Sequence, residues 1–218
     1  MSRFTARRLA RRIPQLLIGL FLYGFGIALM IRGVIGAAPW DVLSQGIATH
    51  LPLTFGTITI IVSGIVLLMW LPLRQRLGIG TVLNALLVGP SADIGFLVIP
   101  ETDILWLRVL LFALGLTVLA AATGLYIGAH FGPGPRDGLM TGLHRVTGRP
   151  IWLVRTALEV TVVAIGWLLG GNVGVGTVAF ALLVGPMCQF FMRVFEVRLP
   201  VPPAAEPDDD LRSDAIKG

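Results

Sequence analysis

Two short stretches place a carboxylate in the same setting: PWD at 39 to 41 and PRD at 135 to 137. In each, the proline presets the first turn of a helix, and Asp41 or Asp137 stands where the helix dipole favours negative charge. Each opens a segment of about ten residues that reads as a short helix. The two acids then serve either as caps and loop closures or, with Arg136, as a gate that touches a solute. Four more polar side chains interrupt apolar runs: Asn84, Asp93, Glu159 and Gln189. Polar and charged groups in such runs are expensive and usually face a cavity or a partner. Arg155 precedes Glu159 by four residues, so the two share a helix face and are expected to pair; a buried Glu159 would also suit a proton or a cation. Asn84 suits a hydrogen bond between helices. Asp93 follows Gly89 and Pro90 and suits the cap of a helix that restarts after a break. Asp93, Gln189, Asn84, Glu159 and Arg155 form the expected solute-binding set.

Other chemistries lack their residues. No HExxH, GxSxG or GxxxxGK[ST] occurs, and no acid and base have catalytic spacing, so an enzyme is not expected. His50, His130, His144 and Cys188 show no metal-ligand spacing, so neither a metal nor a cofactor is expected. The pI near 10.6 does not point to nucleic acid, because the basic residues are scattered rather than gathered in one patch.

What must position these residues is a bilayer protein. The chain is 55% hydrophobic and 13% charged, with mean hydropathy +0.84. Its 218 residues hold six apolar segments, at about 13–34, 54–72, 79–98, 108–129, 151–169 and 173–192. Most of the 17 Lys and Arg fall before the first segment, between the second and third, between the fourth and fifth, or after the sixth. The loop 99–107 carries Glu101 and Asp103 instead. The positive-inside bias then puts both termini in the cytoplasm. The basic start, 1–12, resembles a signal sequence, but its apolar run is longer than a signal's and is expected to stay as the first span. The tail, 193–218, is rich in proline and acid and is expected to be disordered. Trp40, Trp70, Trp106, Trp152 and Trp167 fall near segment ends and are expected at the headgroups. The Gly124/Gly128 and Gly166/Gly170 pairs suit close helix contact.

The same phrase occurs twice. GIGTVLNALLVGP at 78–90 matches GVGTVAFALLVGP at 174–186 in ten of thirteen positions, at an offset of 96. The offset also aligns Gly36, Pro39, Asp41, Leu43 and Gly46 with Gly132, Pro135, Asp137, Leu139 and Gly142. An all-α fold of six transmembrane helices follows, made of two three-helix units, 13–98 and 108–192. An odd number of spans per unit inverts the second relative to the first. This places Asp41 and Asp137 on opposite membrane faces. Gly89-Pro90 and Gly185-Pro186 read as helix breaks in the third span of each unit, and paired breaks in inverted repeats point to a midplane solute site.

The chain resembles the YczE/YitT-like bacterial membrane proteins, the YczE branch in particular. The resemblance rests on PWD at 39–41, IGTVLNALLVGPSAD at 79–93, LYIGAHFGPGPRDGLM at 125–140 and VGTVAFALLVGP at 175–186. It implies a multi-pass protein of the bacterial inner (cytoplasmic) membrane, with one branch tied to regulation of secondary-metabolite production, and supplies no catalytic residues. The expected function is a small-solute transporter or exporter with its site between the repeats. The alternative is a non-transporting membrane adaptor or regulator working through Arg136, Asp137, Arg145 and Arg149. The expected partners are the lipid bilayer, an unknown small solute, and a second copy in a homodimer that would help surround a pathway.

Overall fold

The computed structural model describes residues 3–195, with side chains from residue 10 onward. The acidic tail expected to be disordered lies outside the described residues, except for the end of the last helix. Every regular element described is an α-helix: α1 (Arg3–Arg32), α2 (Pro39–Ala48), α3 (Phe55–Leu73), α4 (Ile79–Val98), α5 (Leu105–Gly128), α6 (Pro135–Thr147), α7 (Ile151–Leu168) and α8 (Val175–Phe195). Six of them are long and apolar enough to cross a membrane. The other two, α2 and α6, are too short. Both begin with proline and carry their acid in the first turn, as the sequence requires.

The long helices expected from the apolar runs are found within a few residues of their predicted bounds, and α1 continues helical back through the basic start. One group of loops and ends carries Arg12, Arg74, Arg145 and Arg149, and Arg145 there donates to the Leu73 carbonyl. We call this the basic end. At the opposite end Arg32 pairs with Glu101, and Arg108 pairs with Asp103 at 2.7 Å, so its two arginines are offset by acids.

The helices form two apolar clusters. In one, Leu16, Leu20, Ile27 and Met30 of α1 meet Leu116, Leu119 and Tyr126 of α5, with Val88 of α4 and Phe180 and Val184 of α8 alongside. In the other, Ile58, Val62, Val66 and Trp70 of α3 meet Trp40 of α2, Leu139 of α6 and Val162 of α7. Each short helix thus packs on a long helix of the other half, α2 on α7 and α6 on α3. Small residues permit the approach: a Cβ on Gly166 would lie 2.6 Å from Leu43 Cα, and one on Gly124 would lie 2.7 Å from the Phe191 carbonyl carbon.

The two halves also dock on each other through matching loops. Gly36 and Gly132 take φ of +133° and +119°, a region that a side chain strains. Their neighbours Val34 and His130 have φ of 54° and 55°. The Ile35 carbonyl accepts from Gly176 N at 2.8 Å, and the Phe131 carbonyl accepts from Gly80 N at 2.9 Å. Thr177 Oγ1 accepts from Ala37 N at 3.2 Å, whereas Thr81 Oγ1 donates to the Pro133 carbonyl at 2.7 Å. The hydroxyl reverses its role because proline offers no N–H. Every one of these pairs is separated by 96 residues.

Candidate functional site

The short helices point their first turns at one place inside the protein. Both guanidinium ends of Arg136, at the start of α6, donate to Asp41 Oδ1 at 3.3 Å, at the start of α2. Asp41 is fully buried, and the Arg136 guanidinium also lies 5.5 Å from the centre of the Trp40 ring. The expectation that the two P-x-D motifs occupy opposite faces is therefore corrected. Each short helix begins inside the protein and runs outward, so the motifs converge and only the far ends of α2 and α6 diverge.

A cavity of about 300 Å³ lies beside this junction. Its polar lining is Arg136 and Asp137 of α6, Arg155 and Glu159 of α7, Gln189 and Cys188 of α8, Thr123 of α5 and two tyrosines, Tyr23 and Tyr126. Tyr23, Glu159 and Gly185 each stand near the middle of their helices, so the cavity is at half height. Arg155 Nε donates to Glu159 Oε1 at 2.8 Å, so the expected pair is present. Tyr126 donates to Asp137 Oδ2 at 3.2 Å, and its ring meets that of Tyr23 edge to face at 5.8 Å. Asp137 is enclosed by protein, yet its surface is open because it faces the cavity. A second space of about 310 Å³ shares Ile127, Gln189 and Met192 with the first and adds His130 and Arg193, extending it toward the basic end.

Burial pushes both aspartates up from the ordinary carboxylate range. Arg136 opposes this at Asp41, and the Tyr126 hydroxyl, then Arg155 and Arg136, oppose it at Asp137.

A pocket of about 50 Å³ lies on the other side of the Arg136–Asp137 turn, lined by Thr59, Ser63, Asn84 and Val88 among others. Adding 96 to these numbers gives Arg155, Glu159, Phe180 and Val184, all in the large cavity. Pro135 and Tyr23 correspond likewise to Pro39 and Leu119. Tyr23, Tyr126, Arg136 and Asp137 line both spaces. The difference in size follows from helix contact. In the first half Gly56 and Gly89 touch, and Asp93 Oδ1 accepts from Gly56 N at 2.8 Å. In the second half α7 and α8 scarcely meet, and a Cβ on Gly185 would find nothing within 4 Å.

Several expected residues have other duties. The Gly-Pro pairs are not breaks: α4 and α8 run unbroken through Pro90 and Pro186, which are exposed. With no restarted helix to cap, Asp93 caps the start of α3 and stays out of the large cavity. Arg136 and Asp137 turn inward and are not joined to Arg145 in one outward surface. Trp40 and Trp70 are buried at 7% and 2% exposure instead of sitting at headgroups, and Trp70 Nε1 anchors α6 by donating to the Pro135 carbonyl at 3.0 Å. The sequence reading missed Tyr23, Tyr126 and Trp40. A signal was present, since the two tyrosines are the only ones in the chain and both interrupt apolar runs, where a hydroxyl needs a partner.

Comparison with known proteins places the chain in a wider group. A family described as "Family of unknown function (DUF6198)" matches residues 10–193. An uncharacterized protein of Haemophilus influenzae is 38% identical over 190 residues, covering 87% of each chain. The uncharacterized membrane protein YczE of Bacillus subtilis is 32% identical over 174 residues, covering 79% of this chain and 81% of its own. A further uncharacterized protein of that organism, YyaS, is 26% identical over 186 residues, covering 82% and 91%. No solved structure matches the chain.

Proposed function

We propose that this chain, which belongs to the DUF6198 family of unknown function, is a membrane transporter that moves a small solute by alternating access. The observation that carries the reading is the pairing of the two cavities. Residues at equivalent positions of the two halves line one open space and one nearly closed one, around a shared core of Tyr23, Tyr126, Arg136 and Asp137. In an inverted repeat, exchanging the conformations of the halves converts an opening on one side into an opening on the other. Here α7 and α8 would close as α3 and α4 part, and the solute would meet the same central residues from either face. Buried polar atoms without partners support this. Thr59 Oγ1 in the nearly closed pocket, and Asp41 Oδ2, Ser44 Oγ and Gln45 Nε2 on α2, are unpaired, and each costs about 1–3 kcal/mol to leave so. The second arrangement would hydrate them.

The large cavity reaches the basic end, so by charge bias it faces the cytoplasm of a bacterial inner membrane. Both halves of one chain contribute to the lining.

The single cysteine provides the test. Cys188 lines the open cavity, and the position 96 residues earlier is Ala92, which is fully buried. In oriented proteoliposomes an impermeant maleimide should label Cys188 from the basic end. In Cys188→Ser/Ala92→Cys it should label the new cysteine only from the opposite end, as the second arrangement is visited. A position 92 cysteine that stays unreactive from that end under all conditions would sink alternating access.

A further inference from the structure

The charges around the cavity do not cancel. Arg136 is held by Asp41 at 3.3 Å, and Arg155 by Glu159 at 2.8 Å. Asp137 makes no ion pair among the described residues; its side-chain partner is the neutral Tyr126 hydroxyl at 3.2 Å. Around the cavity stand two neutralised pairs and one carboxylate with no ion pair of its own, while Arg193 lies apart in the extension toward the basic end. That carboxylate is open to the cavity and belongs to the core shared by both spaces, so it can be met in either arrangement. A charge in such a setting is costly unless a partner of opposite sign arrives.

Around Asp137 the surfaces are aromatic. Tyr23, Tyr126, Trp40 and Phe180 line the same cavity, and the Trp40 indole N–H is buried without a partner. Aromatic faces attract cations that are bulky and weakly hydrated. A hard inorganic cation needs six or more oxygen ligands, and no three metal-ligating side chains gather among the described residues. Beside Asp137 an anion would find no uncommitted guanidinium, since Arg136 and Arg155 are paired and Arg193 lines only the extension toward the basic end. At about 300 Å³ the cavity is at the small end of the range for organic ligands.

We infer that the cavity binds a small organic monocation, an amine or quaternary ammonium with an apolar body, whose charge is met by Asp137 and whose body rests on the aromatic wall. This names the solute class of the transporter proposed above and rests on that reading. The test uses protein in phosphatidylcholine nanodiscs and three probes of one shape: benzyltrimethylammonium, its uncharged carbon isostere 2,2-dimethylpropylbenzene, and benzoate. Calorimetric titration should give binding of the cation to wild type and to Asp103→Asn, an exposed-loop control. The uncharged probe should bind at least about tenfold more weakly, and benzoate not at all, a difference of ~1.4 kcal/mol or more. Asp137→Asn should abolish the preference while leaving the uncharged probe's affinity unchanged. Equal affinity for cation and isostere, preference for benzoate, or no cation binding would overturn the inference, even if Asp137→Asn proved unstable. The cysteine labelling needs no ligand, so failure of the cation class and failure of alternating access are read separately.

Discussion

At the scale of single residues, Asp137 is the group whose behaviour is most sharply constrained. Burial raises its carboxyl above the ordinary range, and cation binding needs it ionised. The groups facing it are the Tyr126 and Tyr23 hydroxyls, Arg136, Arg155, Glu159 and Cys188, all of them in the cavity wall. Binding of benzyltrimethylammonium should therefore be strongest at high pH and fall as pH drops through the raised value. Titration at several pH values should place the midpoint above ~4, where an ordinary aspartate changes charge. A midpoint at or below it would count against Asp137 as the partner. Charge in or beside an apolar run is conspicuous, so Arg136, Asp137, Arg155 and Glu159 were legible as candidates, as was Asp93, which stands outside this wall. The sequence reading gave no weight to Tyr23 and Tyr126, whose rings blend into such a run. Trp40 was assigned to the interface on position alone, since burial is a property of the packed helices.

At the scale of elements, helix positions were legible and helix roles less so. The apolar runs determined the long helices, and proline followed by acid located both short ones. The Gly-Pro pairs misled, because a proline's missing hydrogen bond can be absorbed in a continuous membrane helix. Gly89 serves instead to let α4 touch Gly56 of α3, while Gly185 faces open space. Gly89→Ala would force its methyl against the Gly56 carbonyl and should destabilise the protein by about 1–3 kcal/mol. Gly185→Ala should leave stability unchanged or higher by about 0.5–1 kcal/mol, as alanine is the better helix former. Unfolding in detergent compares them, and equal losses would contradict the difference between α3–α4 and α7–α8.

At the scale of the whole molecule, the reciprocal docking of Ile35–Ala37 on α8 and, beside Arg12 at the basic end, of Phe131–Pro133 on α4 holds the halves together, and in the proposed mechanism the first of these contacts is the seal away from the basic end. Thr177→Val would strip the Ala37 N–H of its partner, a loss of about 1–3 kcal/mol in the seal. Labelling of Cys188 from the opposite end should then become measurable, whereas wild type stays protected there; no change would place the seal elsewhere. The sequence by itself determined the membrane setting, the helices, and the duplication at an offset of 96, because hydropathy and repetition are written in the order of residues. Tertiary structure alone decided that Asp41 meets Arg136, that Asp93 caps α3, and that one of two equivalent pockets is open. Those outcomes depend on which small residues let helices touch, and two copies of one phrase can settle into different contacts once their neighbours differ.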